Sequence, residues 1–324
     1  MRSEISKKII ANVVGYGAFL ALAWYVYAHL GEFQRLLQLS PLKFVVLSLL
    51  VLLTMAFTTL KQSMLFKLLD IKEDLIGIFA FNSISTLVNL LPFNAALIFR
   101  ATYVKKRFNT ALYEFGIGTI VGFITFFIAS VFLCILSFGI MQRTQITLFL
   151  EKQGALFWIA LFCVLSFLFI VVLCRKKTVC RGVSEKVSES KIYKLKKITL
   201  TNLPLIGMMF LVDFGSSLIW ALRFFFTSHY LGFRVSFLQC AIFQGVNCFL
   251  LLLTFLPAGA IGFREALLGL TVKNFGGKTS DGVIISMVDR VVAILWILIF
   301  GFLSLQILKK RTIMKKVGIR EDLK

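Results

Sequence analysis

The sequence predicts an all-α polytopic membrane protein: about six spanning helices plus two re-entrant helical hairpins, arranged as inverted repeats. Composition is the first reason. Of 324 residues, 59% are hydrophobic and only 16% charged, with a mean hydropathy of +0.90, whereas soluble domains run at roughly 45–50% apolar and about 25% charged. The second is that apolar runs long enough for a hydrocarbon core of about 30 Å recur along the chain. The third is that two such runs break at Leu91-Pro92 and Leu256-Pro257, where a plain span would continue.

Taken in order, spanning runs fall at Ile9–Leu30, Leu42–Leu60, Phe115–Ile140, Ala155–Cys174, Leu203–Tyr230 and Gly282–Leu308. The first follows Arg2, Lys7 and Lys8, as in a signal peptide, but it exceeds the roughly 7–15 apolar residues of such a leader and reads as a span. Two further runs, Leu75–Leu91 and Phe237–Leu256, end at the Leu-Pro elements.

Whether those two cross decides the topology. The stretch 175–197 holds nine Lys or Arg, and with eight crossings and a cytoplasmic N-terminus it would lie outside, against the positive-inside rule. If each Leu-Pro element is instead the tip of a hairpin returning to its own side, that stretch falls in the cytoplasm. So do Arg100, Lys105, Lys106, Arg107 and both termini of a chain in the cell membrane. The expected organisation is then 1–174 as a first half with a re-entrant element near 75–110, 175–202 as a basic cytoplasmic linker, and 203–324 as a second half with a re-entrant element near 236–280. The same count opens the first hairpin to the cytoplasm and the second to the outside, an inversion that recurs in transporters. Each broken run also carries an Asn upstream and an Arg downstream: Asn82 and Arg100 around Pro92, Asn247 and Arg264 around Pro257.

The formal charge of +21, from 36 Lys and Arg against 15 Asp and Glu, is expected to meet anionic lipid headgroups, chiefly at the basic linker. Nucleic acid is not an expected partner, since the basic residues form no recognition module. The six cysteines include no CxxC pair, and His29 and His229 are the only histidines. No disulfide framework, metal or cofactor is expected. Enzyme motifs are also lacking: Gly277-Lys278-Thr279 resembles the end of a phosphate-binding loop, but the glycine that motif requires upstream is Val272.

Charge inside a membrane costs about 2.5–3.5 kcal/mol per residue on insertion scales, so intramembrane ions pair or face a cavity. The candidates are Asp213, Arg223, Arg264, Glu265, Asp289 and Arg290. Crossed pairing of Arg264 with Asp289 and of Glu265 with Arg290 would neutralise four of them. This quartet reads either as a clasp holding the second hairpin to the last helix or as part of a substrate site. In the second reading, Pro257, Gly259 and Gly262 let a short helix start within the membrane, and its free N–H groups beside Arg264 attract an anion. A phosphate-bearing lipid headgroup fits. Arg100 is read as a substrate contact or as a side chain reaching the cytoplasmic interface. Asn82 and Asn247 are partners for broken backbone or core amides satisfying each other. Asp213 is a proton-coupling carboxylate or the partner of Arg223.

The stretch Leu256-Pro-Ala-Gly-Ala-Ile-Gly-Phe-Arg-Glu-Ala-Leu-Leu, followed by Asp289-Arg290 and a closing apolar run, resembles the second signature of the lysylphosphatidylglycerol synthase transmembrane region family. Leu91-Pro92 through Arg100-Ala-Thr-Tyr-Val-Lys105 resembles its first signature. The chain departs from that first signature at Ala96-Leu97, where the family carries Gly-Glu, and it has no Asp-Arg in the Phe115–Ile140 span. These flippase-like proteins resemble the N-terminal half of the bacterial multiple peptide resistance factor. The resemblance implies lipid or lipid-linked glycan translocation, without the aminoacyl-transferase domain.

The expected function is therefore flippase-type transport of an anionic or phosphate-linked lipid, with the lipid, the direction, the energy source and the oligomeric state left open. Two alternatives stand beside it. A membrane-embedded glycosyl or phosphoryl transferase would gather Glu265, Asp281 and Asp289 at a metal. A non-transporting partner of a cell-envelope enzyme would bind its partner without moving lipid.

Overall fold

The computed structural model describes residues 40–90, 95–144, 202–252 and 263–321, and every element in them is helical. These are α1 (Pro41–Leu68), α2 (Leu75–Val88), α3 (Ala95–Phe108), α4 (Leu112–Thr144), α5 (Leu203–Tyr230), α6 (Phe237–Leu252), α7 (Phe263–Asn274) and α8 (Thr279–Glu321). Four of them, α1, α4, α5 and the Thr279–Lys310 part of α8, are long and apolar enough to cross a membrane. They coincide with four of the six predicted spans; Ile9–Leu30, Ala155–Cys174 and the basic linker lie outside the described residues. Helix α1 continues past the predicted end at Leu60 to Leu68, which places Lys61 within the helix.

Local chemistry explains the ends. Pro41 opens α1 and Pro204 opens α5, where a missing N–H costs nothing. Both close on the same device: the second residue past the helix turns left-handed (Asp70, φ 55°; Gly232, φ 79°). Its N–H and the next one return to the last turn, as Asp70 to Lys67 and Ile71 to Phe66 in α1, and Gly232 to His229 and Phe233 to Ser228 in α5. Asp74 then caps α2 by accepting from the Gly77 N–H, and Ser236 caps α6 in a reciprocal bond with Gln239. Counted from Pro41 and Leu203, these turns and caps fall at the same register after α1 and after α5, and both helices are 28 residues long.

Helices α1 and α5 pack antiparallel along their length. Lys43 Nζ meets the Tyr230 carbonyl at one end, and Lys61 meets Asp213 beyond the middle. Around this pair α2 packs on α8 and α6 on α4. Helices α2 and α3 form an antiparallel hairpin, with Phe81 against Tyr103 (ring centroids 5.0 Å apart) and Ser85 against Arg100. Helices α6 and α7 are also antiparallel, Phe243 lying 5.8 Å from Phe275. At 14 residues α2 is about 21 Å long, too short to cross. The stretches joining the hairpin arms, with Pro92, Pro257, Gly259 and Gly262, lie outside the described residues.

Polarity is arranged as a bilayer demands. Outward faces carry Leu42, Leu49, Ile120, Phe132, Val291 and Phe302, all exposed, while Asn82, Ser85, Asp213, Ser217, Arg223, Gln244, Glu265 and Asp289 are buried. Lipid offers no hydrogen bonds, so polar groups turn to one another.

Candidate functional site: a buried charge network

Two glycines set the network's geometry. A Cβ on Gly282 of α8 would lie 2.5 Å from the Leu268 carbonyl of α7, and one on Gly269 would lie 2.8 Å from the Thr279 carbonyl. Only glycine on both sides lets the two backbones come this close. The intervening turn is closed by Gly276 (φ 86°), with the Gly276 and Gly277 N–H groups returning to Lys273 and Val272. Running antiparallel from this contact, α7 brings Arg264 and Glu265 beside Asp289 and Arg290 of α8.

The four charges pair in the crossed sense: Arg264 Nη2 to Asp289 Oδ2 at 3.0 Å, and Arg290 Nη1 to Glu265 Oε1 at 2.9 Å. Ser286, one turn before Arg290, lies 3.5 Å from the same Glu265 oxygen. A fifth member comes from α5. Arg223, fully buried, donates through Nε to Asp289 Oδ1 at 2.8 Å, and its Nη1 reaches Thr54 Oγ1 of α1 at 3.5 Å. Asp289 thus ties α5 and α7 to α8 through two guanidiniums. Trp220, one turn before Arg223 on α5, lies under both, with ring centroid to Cζ distances of 4.2 Å for Arg223 and 5.1 Å for Arg264. Arg264 is 8% exposed, and its Nε is buried with no partner among the described residues.

Asp213 and Arg223, offered above as partners, do not pair. Ten residues apart on one helix, they are separated by about 15 Å along the axis, beyond the reach of their side chains. Asp213 instead accepts from Lys61 Nζ at 2.8 Å and Thr125 Oγ1 at 2.7 Å, joining α5 to α1 and α4. Lys61 also donates to the Gly122 carbonyl at 2.6 Å and lies over the Phe126 ring.

The remaining predicted residues separate. Arg100 donates through Nε to Ser85 Oγ of α2 within the first hairpin. Asn82 donates to Thr58 and Thr59 of α1 at 3.1 and 3.4 Å. Asn247 meets Gln244 at 3.4 Å on its own helix. Counted from the caps Asp74 and Ser236, it is Gln244, fully buried, that stands where Asn82 stands, and Asn247 lies one turn further on. Glu265 and Asp289 are held by arginines, while Asp281 accepts from the Lys278 N–H at the start of α8. These three carboxylates do not converge, and among the described residues no three His, Cys, Asp or Glu are grouped to hold a metal.

Sequence reading missed Lys61, Thr54, Trp220, Thr125 and Gln244. Lys61 had a visible signal, since the apolar pattern resumes after it at Met64-Leu65-Phe66.

The family model for the lysylphosphatidylglycerol synthase TM region matches residues 9–301. No curated protein and no solved structure matches the chain.

Proposed function

Because the chain belongs to the lysylphosphatidylglycerol synthase TM region family, we propose that it is a flippase-type transporter, moving an anionic, phosphate-bearing lipid between leaflets where two inverted halves meet. The repeat reading is supported by the shared register of the α1 and α5 turns and the α2 and α6 caps, and by the antiparallel packing of α1 on α5. Exchanging the halves turns the α2–α8 contact into the α6–α4 contact, and both are present. The short antiparallel hairpins α2–α3 and α6–α7 support re-entry from opposite faces, with six spans and both termini cytoplasmic.

One observation carries the substrate reading: Arg264 is fixed to Asp289 through a single nitrogen, while its Nε is buried without a partner among the described residues. A buried cationic donor with nothing to bind is costly unless a ligand satisfies it. The planar guanidinium suits phosphate, which it can grip through two donors. Depth agrees, because Asp289 lies about 15 Å along α8 from its start, near half of a core of about 30 Å. Glu265 and Arg290 complete the site, with Asp289, itself fixed by Arg223, holding Arg264 in orientation. Pro257, Gly259 and Gly262 would bring the tip of the second hairpin to the headgroup, as Pro92 would bring that of the first.

The experiment is leaflet exchange of headgroup-labelled phosphatidylglycerol and phosphatidylcholine in vesicles holding the purified chain. Faster exchange of phosphatidylglycerol than in protein-free vesicles is expected. Exchange of neither lipid, together with metal-dependent transfer of a sugar or phosphate onto a lipid carrier, would replace the transporter with the enzyme.

A further inference from the structure

We infer that Asp213, held by Lys61 and Thr125, is a proton-carrying site that couples transport to a proton gradient. Only the cargo, an anionic lipid, is taken from the transporter reading; protonation of the carboxylate is independent of it.

Asp213 is 1% exposed and stands about 15 Å along α5 from Leu203 and about 26 Å from Tyr230, far from both ends of the span. Ionisable groups at such depth are costly and mark proton and ion pathways. Its partner sets it apart from the other paired carboxylates. Glu73 is bound by Arg107, Glu265 by Arg290, and Asp289 by Arg223 and Arg264. A guanidinium keeps its proton in a protein, so those carboxylates face a fixed counter-charge. Lysine and aspartate can each exchange a proton, and Lys61 Nζ lies 2.8 Å from Asp213 Oδ1.

The surroundings continue the polar chemistry. Thr125 Oγ1 of α4 donates to Asp213 Oδ2 at 2.7 Å, so both carboxylate oxygens are occupied. About one turn further along α4 and α5, Ser130 and Ser217 bond each other at 3.0 Å, both fully buried, and the Cys248 thiol of α6 faces Ser130. A hydroxyl accepts one proton while it donates another, which makes this seam fit to pass a proton beyond the carboxylate. Of the other charged and titratable groups, Arg100 of α3 acts on Lys61, and Cys248 on both members of the pair. Helix α8 meets α5 through Asp289 at Arg223, ten residues away.

The step adds a proton from water to Asp213 Oδ1 and breaks the ion pair between Oδ1 and Nζ. Lys61 keeps its own proton, and no electrons move. Before the step the pair is neutral. After it an ammonium stands unpaired beside the Arg100 charge, which a low-dielectric interior strongly disfavours. The tie between α1 and α5 is therefore made while Asp213 is ionised and released when it is protonated. Loss of the proton to water on the opposite side remakes it. An anionic cargo offsets the positive charge that the proton adds, so proton and anion favour each other's binding. They move in one direction, one for one, with no net charge carried.

The test is the leaflet distribution of headgroup-labelled phosphatidylglycerol in vesicles holding the full chain. A pH difference of about one unit is imposed, the membrane potential is clamped with potassium and valinomycin, and melting of every variant is recorded. Wild type should skew the distribution towards about tenfold, the ratio that one pH unit supports for one proton per lipid. A protonophore should abolish the skew, and folded Asp213→Asn should show none. Exchange by wild type without a skew overturns the proton site and leaves the transporter standing; a skew retained by Asp213→Asn overturns the assignment to Asp213. If wild type exchanges no lipid, the transporter fails and infrared titration of the protein in neutral detergent decides the site. A protonated-carboxyl C=O component that grows as pH falls and is missing from Asp213→Asn upholds it, and identical spectra overturn it. If Asp213→Asn does not fold, Thr125→Val decides instead. Losing one donor to the carboxylate favours its protonated form, so the midpoint of that component should rise by about one pH unit. Unmoved midpoints overturn the proposal.

Discussion

Arg223 of α5 and Asp289 of α8 form the most buried ion pair among the described residues, with Nε and Nη2 at 2.8 and 2.7 Å from the same carboxylate oxygen and both side chains 2% exposed. The other oxygen of Asp289 holds Arg264, so one carboxylate serves guanidiniums from two helices. Reversing Arg264 and Asp289 together therefore cannot restore the network, because Asp289→Arg sets a like charge against Arg223. The double variant Arg264→Asp with Asp289→Arg is expected to melt lower than wild type by an amount corresponding to about 3–5 kcal/mol. Wild-type melting would show that Arg223 does not depend on Asp289.

Lys61 and Asp213 join α1 to α5. Removing either partner alone strands a charge inside the protein, whereas removing both leaves apolar packing. Lys61→Met and Asp213→Leu should each destabilise by about 3–5 kcal/mol, and the double variant by clearly less than their sum. Additive losses in a melting series would mean that the pair carries no coupling.

Gly282 tests the close approach that aligns Arg264 with Asp289. Gly282→Ala places a methyl 2.5 Å from the Leu268 carbonyl and should cost about 1–3 kcal/mol. Gly139→Ala, with nothing within 4 Å of its Cβ, is the control and should be neutral or slightly stabilising. Equal melting temperatures for the two would remove the packing explanation.

Membrane topology is read by cysteine labelling after removal of the native cysteines. Probes at Thr110 and Ser188 should be protected from an impermeant external reagent, and one at Lys278 should react. Labelling of Ser188 from outside would put the basic linker on the wrong side and end the six-span arrangement.

Much of this was legible in the sequence because membranes impose coarse rules. The spans at Leu203–Tyr230 and Gly282–Leu308 follow from run length, and the crossed pairing of Arg264 and Glu265 with Asp289 and Arg290 follows from their adjacency on two helices. The expected Asp213–Arg223 pair does not form because ten residues of helical rise, about 15 Å, separate the two side chains. Arg223 could not be joined to Asp289, nor Lys61 to Asp213, because both pairs depend on the packing of helices far apart in sequence. The helix caps Asp74 and Ser236 align Asn82 with Gln244, whereas the Leu-Pro landmarks visible in the sequence align it with Asn247.

The most direct measurement of the central claim is leaflet exchange of headgroup-labelled phosphatidylglycerol by wild type and Arg264→Lys in matched vesicles, with melting of both proteins recorded. Lysine keeps the charge that Asp289 needs but lacks the planar fork that grips phosphate. Rapid exchange by wild type and a loss of about tenfold or more in Arg264→Lys at near-wild-type stability are expected, the scale of one charge-assisted hydrogen bond. Equal exchange by the two proteins would contradict the headgroup role of Arg264 and leave the network as a clasp between α7 and α8.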